Sequence, residues 1–172
     1  MKRVCTIMVG MPYSGKSTLV NKFRLMDPYA FVYSTDRYIE SKAKELGSTY
    51  NDIFADTIKE ATAFCDDSLD DALVNTTQNI IWDQTNLSRK KRGKIVSKIL
   101  SSSEDEWVFN ACFITIDNKS VWDRRITKRH TKCIPENILY SMESSFQMPT
   151  LDEGFEKISV YNINGELKRV YP

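Results

Sequence analysis

The sequence predicts an α/β fold: a parallel sheet covered by helices on both faces, followed by a C-terminal β-hairpin. Residues 3–10 form a nearly continuous apolar run that ends in glycine, as expected for a strand buried on both faces. Similar runs alternate with helix-like segments along the chain, which is the order that parallel strands joined by helices require. Asn164 and Gly165 lie between two alternating runs, the strongest short signal of a hairpin.

The first half of the chain is predicted to contribute three strands and three helices. Residues 17–26 have helical character, and this helix should end at Asp27 because the residue before Pro28 is pushed out of the helical region. Residues 29–34 are aromatic and β-branched, which favours a strand. The remaining elements are helices at residues 36–46, closed by Gly47, and 52–73, and a short strand at residues 79–82.

The second half continues the alternation. Ser88 precedes a basic helical segment and is of the residue type that caps a helix N-terminus. Pro135 stands in the first turn of a later helix, where its missing N–H is tolerated. The elements are a strand at residues 106–116, helices at 120–129 and 135–146, and the hairpin at 158–171.

Composition narrows the class of protein. The 172 residues are 41% hydrophobic, which fits one domain spanning residues 1–172 and excludes a disordered chain. A net charge of +1 excludes a protein that binds polyanions with its whole surface. Apolar runs are strand-sized and the N-terminus lacks a signal-peptide cleavage site, so neither membrane insertion nor secretion is expected. The four scattered cysteines, with Cys5 and Cys112 in apolar runs, indicate reduced core thiols and a cytoplasmic location.

The most specific motif is a glycine-rich segment between the first predicted strand and the first helix. Residues 10–17, the phosphate loop, match G-x-x-x-x-G-K-[ST] at every fixed position. A chance match in a chain of this length has a probability below about 1%. Backbone N–H groups of such a loop bind phosphate oxygens, together with the helix N-terminus. The motif predicts a nucleoside-triphosphate site formed by Gly10, Met11, Pro12, Tyr13, Ser14, Gly15, Lys16, Ser17 and Thr18.

Two residues of the loop have specific tasks, and the rest of the chain favours a small kinase. Lys16 supplies a cation for the β- and γ-phosphates, and the Ser17 hydroxyl is placed to ligate Mg²⁺. A GTPase usually carries N-K-x-D, and both Asn-Lys pairs of this chain lack the aspartate. A motor or large ATPase normally needs more chain. The basic segment late in the sequence suits a lid, at about residues 118–135, that excludes water from the phosphates.

Acidic residues that follow two predicted strands are candidates for the acceptor side. Phosphoryl transfer to an alcohol needs a base, and ligands of open α/β sheets bind at the carboxyl ends of strands. Asp36 is the candidate base, or else the N-cap of the next helix. Asp83 is expected near Mg²⁺, or else forms an Asx-turn. Thr85 and Asn86 could hold Asp36, a loop or the substrate by hydrogen bonds.

Two basic segments are candidates for anion binding. Arg125 and Arg129 are four residues apart, so on one helix they share a face, and guanidinium groups bind triphosphate oxygens bidentately. Residues 89–92, with Lys94 and Lys98, could contact an acceptor backbone. Their place at a helix N-terminus is unfavourable for the helix itself, which favours a functional reason. For both segments the alternative is a solvated basic surface.

Five segments together resemble the kinase domain of the phage-type 5′-polynucleotide kinases and of the related kinases of DNA-end repair. They are GMPYSGKST at 10–18, STDRY at 34–38, DQTNLSRKKR at 83–92, KRHTKCIP at 128–135 with ILYSM at 138–142, and FQMPTLDEGFEKI at 146–158. The first segment is common to many NTPases, whereas the TNL-plus-basic and KR-x-TK-x-x-P segments are more specific. The resemblance covers nearly the whole chain in the family's order and implies a P-loop kinase fold with a helical lid.

The resemblance implies a role for each matching residue. Lys16 and Ser17 would bind phosphate and Mg²⁺, and Asp36 would be the base that activates the acceptor's 5′-hydroxyl. The other implied roles are lining of the active site by Asp83, Thr85 and Asn86, contact with the β- and γ-phosphates by the lid residue Arg129, and an upstream lid position for Arg125.

The sequence departs from this family at one acceptor position. Phage members carry an arginine three residues after the base, where this sequence has Ile39. Arg37 is a neighbouring candidate for acceptor binding, but on a helix it would point elsewhere. The D-x-D-x-T motif of the phage phosphatase domain is missing from the sequence, so 3′-phosphatase activity is not expected.

The sequence therefore predicts an ATP-dependent, Mg²⁺-requiring kinase that acts on the 5′-hydroxyl end of DNA or RNA, an activity of nucleic-acid repair. Two alternatives stay open. One is a kinase for another hydroxyl, on a hydroxymethylated base in DNA, a nucleoside or a small metabolite. The presence of Ile39 in place of the family's arginine supports this alternative. The other is a non-catalytic nucleotide-binding module, against which the intact Lys16, Ser17 and Asp36 argue.

Overall fold

The computed structural model describes residues 2–75 and 78–172 and contains the elements that the sequence predicts. The bounds of several elements differ from the predicted ones by one or two residues. In chain order the elements are β1 (Arg3–Val9), α1 (Lys16–Met26), β2 (Phe31–Tyr33), α2 (Thr35–Glu45), α3 (Tyr50–Asn75), β3 (Ile80–Trp82), α4 (Arg89–Ser102), β4 (Trp107–Ile114), α5 (Lys119–Lys128), α6 (Glu136–Ser144), a 3₁₀ turn (Leu151–Glu153), β5 (Lys157–Tyr161) and β6 (Leu167–Tyr171).

The strands form one sheet in the order β2-β3-β1-β4-β5-β6. The first five strands are parallel, and β6 is antiparallel to β5, as the hairpin signal predicts. In the register of the sheet, Ile7 of β1 lies between Trp82 of β3 and Ala111 of β4. Because parallel strands end at the same edge of a sheet, the segments that follow β1, β2 and β3 meet there.

Helices cover both faces of the sheet, and β1 shows how the sequence achieves this. Successive side chains of a strand point to opposite faces. Ile7 packs with Leu69 of α3 and Ile99 of α4 on one face, whereas Met8 packs with Val20 of α1 on the other. The apolar run of β1 is thus buried on both sides, and the predicted fold class is confirmed.

Short-range signals end or begin several elements as predicted. Ser88 caps α4, where its hydroxyl accepts a hydrogen bond from the backbone N–H of Lys91. Gly47 follows α2 with a φ of +63°, in the left-handed region that glycine favours. Cys5 and Cys112 are buried free thiols, as expected. In the described parts of the chain, no helix combines the length and apolarity needed to cross a membrane.

Candidate active site

The phosphate loop joins β1 to α1 at the carboxyl edge of the sheet. Tyr13 and Gly15 adopt positive φ angles of 64° and 106°, and the bends turn the loop back over the start of α1. Gly15 occupies the N-cap position of α1, and no described side chain caps that helix. The first N–H groups of α1 are therefore available to an anion, which is the property that a phosphate site requires.

Three polar groups of the loop fit a bound triphosphate. The ammonium of Lys16 donates hydrogen bonds to the carbonyl oxygens of Gly10 (2.9 Å) and Met11 (2.8 Å), which points it back across the loop. The Oγ of Ser14 is buried and has no hydrogen-bond partner among the described residues. The side chain of Ser17 is exposed at the start of α1, where a phosphate-bound Mg²⁺ could reach its hydroxyl.

The electrostatic environment of Lys16 is unusual for a lysine. Burial lowers the pKa of its ammonium to about 8, although the nearby carboxylates of Asp83 and Asp36 raise it. The positive charges of Lys132 and Arg129 add to the lowering. Three lysine or arginine side chains and two aspartates therefore share one electrostatic neighbourhood at the phosphate loop.

Asp36 lies in the first turn of α2, and its carboxylate faces the same cleft. The alternative interpretation of Asp36 as the N-cap is wrong, because Ser34 caps α2 through a hydrogen bond from the N–H of Arg37. The two oxygens of Asp36 have different partners: Oδ1 accepts a hydrogen bond from the Tyr50 hydroxyl (2.6 Å), and Oδ2 accepts one from the Lys132 ammonium. Burial would raise the pKa of Asp36, but Lys132 and Tyr50 outweigh burial and lower it.

Lys132 and Tyr50 are site residues that the sequence analysis does not identify. The side chain of Lys132 is only 9% exposed, and its ammonium lies 4.1 Å from the centre of the Tyr50 ring. Lys132 belongs to a basic segment that the sequence marks, so its charge was a usable signal. For Tyr50, which begins α3, no sequence signal points to the site.

Asp83 follows β3 and is almost completely buried. Its N–H donates to the carbonyl of Tyr33, and its Oδ2 lies 3.8 Å from the Nε of Arg37. Burial raises the pKa of Asp83, although Lys16 and Arg37 lower it. Arg37 also donates to Asn21 of α1 (2.8 Å), and its side chain is not among those that line the main cleft. Arg37 thus contacts the predicted site residue Asp83 but does not itself line the cleft.

Thr85 and Asn86 hold the phosphate loop rather than Asp36. The carbonyl oxygen of Thr85 accepts a hydrogen bond from the N–H of Gly10 (3.0 Å). Asn86 has a φ of 47°, and its side-chain amide donates to the carbonyl of Met8 (2.8 Å) at the end of β1. These bonds connect the end of β3 to the base of the loop, which is one of the three arrangements that the sequence left open.

The two predicted lid arginines make different contacts. Arg125, in α5, donates to the carbonyl oxygens of Tyr13, Ser14 and Ile163, so it fastens the lid to the phosphate loop and to the hairpin. Arg129 is the residue at which α5 ends, and its guanidinium donates to Glu40 of α2 at 2.7 Å. Both side chains line the cleft.

The basic residues of α4 have three kinds of surroundings, which corrects the expectation that the whole run faces an acceptor. Arg92 is completely buried and bonded to Glu153, because its guanidinium finds a carboxylate inside the fold. Arg89 and Lys98 form ion pairs outside the cleft with Asp152 and Asp66. Lys91 and Lys94 line the cleft, and neither forms an ion pair with any described residue.

The cleft has a volume of about 1140 Å³. The phosphate loop and Asp36 line it, together with polar side chains such as Asn51 and Gln84. The part of the wall that comes from α3, α4, α6 and the segment before α6, here called the acceptor chamber, contains six apolar residues, with Lys91 and Lys94 as the cationic groups on α4. In residues 2–75 and 78–172, no three His, Cys, Asp or Glu side chains are grouped so that they could hold a metal ion. The apolar residues are Phe54, Ile58, Ile95, Ile134, Ile138 and Met142.

Comparisons with solved structures agree with this fold. A structure of the PezAT toxin–antitoxin system of Streptococcus pneumoniae is similar at 14% identity and a TM-score of 0.60, over 98% of this chain and 71% of that one. A fungal RNA kinase is similar at 16% identity and a TM-score of 0.61, over 95% and 76%. A gluconokinase of Sinorhizobium meliloti is similar at 15% identity and a TM-score of 0.52, over 92% and 82%. No curated protein matches the sequence.

A family model decides the assignment. The model described as an AAA domain matches residues 6–149, which include the phosphate loop, Asp36, the segment after β3 and the lid. These are the parts that carry the site described above. The solved kinases differ in their named substrates, so their likeness to this chain shows the fold and names no acceptor. A fold of this kind with an intact phosphate loop implies ATP and typically Mg²⁺. The chain belongs to the AAA domain family, and its fold is like that of the P-loop kinases.

Proposed function

We propose that the protein is an ATP-dependent kinase that transfers the γ-phosphate to the 5′-hydroxyl end of DNA or RNA. One observation carries this proposal: Asp36 lines the same cleft as Lys16, and that cleft, of about 1140 Å³, is large enough for a donor and an acceptor. A base in that place can meet a hydroxyl while the loop holds the donor. Residues 118–135 would form the lid of a single domain spanning residues 1–172.

On the donor side, different groups of the phosphate loop and the lid would contact the phosphates and Mg²⁺. The loop N–H groups and the start of α1 would bind the phosphates, and Lys16 would contact the β- and γ-phosphates. The Ser17 hydroxyl would hold Mg²⁺, which screens the triphosphate charge when it is bound. Arg129 would contact the transferred phosphoryl group, and it would leave Glu40 to do so.

On the acceptor side, Asp36 would take the proton. The 5′-oxygen attacks the γ-phosphorus, the bond from that phosphorus to the β,γ-bridging oxygen breaks, and ADP leaves with the electron pair. The hydroxyl proton moves to Asp36. Because Lys132 and Tyr50 keep the pKa of Asp36 low, its carboxylate is ionised at neutral pH and ready to accept a hydrogen bond from the hydroxyl. The Tyr50 hydroxyl, which donates to Oδ1, would fix the orientation of the carboxylate.

The acceptor chamber suits a nucleotide end. A base offers an apolar face, and the phosphate on its 3′ side offers an anion. The apolar walls suit the face of the base. The ammonium groups of Lys91 and Lys94, which form no ion pair with a described residue, suit the phosphate. A fungal RNA kinase shares the fold, which is consistent with this acceptor.

A second candidate is a kinase for another hydroxyl, and Ile39 is the observation that favours it. Ile39 is completely buried in the packing of α2 against α3, so its position offers no group to an acceptor. The acceptor contact that an arginine makes at that position in the phage enzymes would have to come from elsewhere. A hydroxymethylated base within DNA, a nucleoside or a small metabolite would then be the acceptor.

Transfer of labelled γ-phosphate from ATP with Mg²⁺ tests the proposal. The acceptors are 5′-hydroxyl DNA and RNA oligonucleotides, hydroxymethylated DNA with blocked 5′ ends, nucleosides and gluconate. The proposal predicts label at 5′ ends. Label in the blocked DNA or the small molecules would instead support the second candidate, a kinase for another hydroxyl. ATP binding without transfer to any acceptor would contradict both candidate functions.

The two lysines of the chamber provide a matched test of the acceptor class. The double variant Lys91→Met, Lys94→Met should raise KM for oligonucleotides about tenfold or more and reduce the salt dependence of binding, because two phosphate contacts are lost. Lys90→Met is the control, since this exposed lysine of the same helix does not line the cleft. Equal effects of the double variant and the control would contradict the assignment of the chamber.

A further inference from the structure

Two carboxylates of α2 each hold a cation of the lid. Asp36 and Glu40 are four residues apart and therefore lie on the same face of the helix. Lys132 pairs with Asp36, and Arg129 pairs with Glu40 at 2.7 Å. The Lys132 ammonium is also 3.9 Å from the nearer oxygen of Glu40. Two cations of the proposed lid, Lys132 and Arg129, are thus neutralised by the acidic side of the cleft.

Hydrogen bonds fix the main chain around Lys132, whereas the polar contacts of its side chain are all made by the terminal ammonium. The carbonyl oxygen of Lys132 accepts a hydrogen bond from the Tyr13 hydroxyl (2.9 Å), and the same hydroxyl accepts one from the N–H of Ile134 (3.1 Å). Asn51 donates to the carbonyl of Cys133 (2.6 Å) and accepts from its N–H (2.7 Å). The backbone is therefore anchored to the phosphate loop and to α3. A move of the ammonium requires only rotations of the four-carbon side chain.

The phosphate loop is within electrostatic reach of that ammonium. Tyr13, whose hydroxyl binds the backbone of Lys132, is itself a residue of the loop. Lys16 and Lys132 line the same cleft as Asp36, and the positive charge of Lys132 contributes to lowering the pKa of Lys16. A triphosphate carries several negative charges and Asp36 carries one, so a bound triphosphate competes strongly for the ammonium of Lys132.

The partners of Asp36 weaken it as a base. Both carboxylate oxygens already accept a hydrogen bond, Oδ1 from Tyr50 and Oδ2 from Lys132. Each oxygen can accept a second hydrogen bond from an acceptor hydroxyl, but an oxygen that is bound to an ammonium takes up a proton less readily. Loss of Tyr50 would remove the group that orients the carboxylate. Departure of Lys132 would free an oxygen that faces the cleft and would leave the orientation unchanged.

We propose that Lys132 is a phosphate-binding residue that Asp36 holds in reserve, and that a bound triphosphate draws its ammonium from Asp36 to the γ-phosphate. Donor binding then frees the base for the acceptor, and the lysine stabilises the group that is transferred. This inference rests on the proposed function, because it takes the cleft to be a triphosphate site. It assigns to Lys132 a role that no residue of the phosphate-loop motif supplies.

Nucleotide binding in the absence of an acceptor tests the inference. Calorimetry gives the Kd of Mg·AMP-PNP and of Mg·ADP, and their ratio measures selectivity for the γ-phosphate. Asp36→Asn should raise this selectivity about fivefold or more, because the amide no longer competes for Lys132. In the double variant Asp36→Asn, Lys132→Met, the gain should disappear. Adding Lys119→Met to Asp36→Asn is the control, since it removes an exposed charge from the same proposed lid outside the cleft and should leave the gain in place.

The outcomes separate this inference from the proposed function. An unchanged selectivity in Asp36→Asn overturns the inference, and so does a gain that persists without Lys132, which would be a general electrostatic effect. A lysine with a merely structural role would not alter selectivity between the two nucleotides. Failure of the wild-type protein to bind either nucleotide would overturn both proposals, whereas binding with unaltered selectivity overturns this one alone. The Asp36→Asn arm stands even where Lys132→Met impairs folding.

Discussion

The guanidinium of Arg92 forms two hydrogen bonds of 2.7 Å with the carboxylate of Glu153, a residue 61 positions later in the chain. Both side chains are buried, with 0% and 5% of their surfaces exposed. The remaining guanidinium N–H groups bind the carbonyl oxygens of Asn86, Leu87 and Gln147. The pair therefore fixes the start of α4 against the segments on both sides of it. Lys91 and Lys94 of the same helix line the cleft.

Arg92→Met should destabilise the protein by about 3–5 kcal/mol, because it leaves the carboxylate of Glu153 buried without its partner. The free energy of unfolding in urea measures this effect. Arg89→Met is the matched control. Its ion pair with Asp152 is exposed to solvent, so the urea midpoint should change little. Equal shifts in the two variants would contradict a structural role specific to Arg92.

The environment of Arg92 is an example of a contact that the sequence alone does not predict. In the sequence, Arg92 belongs to a run of four basic residues, and a basic run is normally solvated or binds an anion. Only the tertiary fold brings Glu153 to it. Lys132 is a similar case, since it meets Asp36 across 96 residues of chain. Contacts of this kind depend on how distant elements pack, and no local pattern encodes them.

Local signals, by contrast, predict most of the fold. The phosphate loop between β1 and α1, the cap at Ser88 and the hairpin around Gly165 each depend on neighbouring residues, and each is confirmed. The buried faces follow from the apolar runs. Element ends are predicted less closely, because a short strand such as β2 gives way to a helix cap at Ser34 within one residue.

Gly15→Ala should weaken ATP binding without unfolding the protein. The φ of Gly15 is +106°, and a Cβ atom there would lie 3.0 Å from the Nη1 of Arg125. Strain of about 1–3 kcal/mol in the binding conformation of the loop corresponds to a loss of roughly tenfold to a hundredfold in affinity. Calorimetric titration with ATP measures this loss.

Gly47→Ala is the control for this substitution. Gly47 also has a positive φ, +63°, but a Cβ atom there would meet no described atom within 4 Å. The variant should lose some stability and keep its affinity for ATP. An equal loss of affinity in both variants would show that the close contact with Arg125 is unimportant.

Ile39→Arg, which introduces the arginine of the phage enzymes at this position, should destabilise the protein strongly and should not improve acceptor binding. Ile39 is fully buried between α2 and α3, and a guanidinium there has no water and no counter-charge from its apolar neighbours. Even Ile39→Ala should cost about 2–5 kcal/mol. Thermal unfolding measures both. Ser41→Arg, on the exposed side of α2, should unfold near the wild-type temperature; a similar loss there would point to a general effect on the helix.

The affinity for ATP should fall as the pH rises above about 8. The pKa of Lys16 in the free protein is about 8, and only the protonated ammonium attracts phosphate. Lys16 therefore contributes fully to ATP binding below that pH. Above it, the affinity for ATP falls by up to about tenfold per pH unit. Calorimetry from about pH 6.5 to about pH 9.5 covers this window.

Lys16→Arg provides the comparison for this pH dependence. A guanidinium stays charged throughout the window, so the variant should show a nearly constant affinity, whatever its absolute value. A fall of the same size in Lys16→Arg would assign the titration to another group of the cleft.

The central claim is that Asp36 accepts the proton of the acceptor hydroxyl beside the phosphate loop. The rate of a single turnover, from labelled ATP to a 5′-hydroxyl oligonucleotide, tests it most directly in the wild-type protein, in Asp36→Asn and in Glu45→Gln, an exposed control on the same helix. The account predicts that Asp36→Asn lowers this rate about 10²–10⁴-fold while ATP still binds, and that Glu45→Gln does not. Transfer by Asp36→Asn at the wild-type rate would contradict the claim.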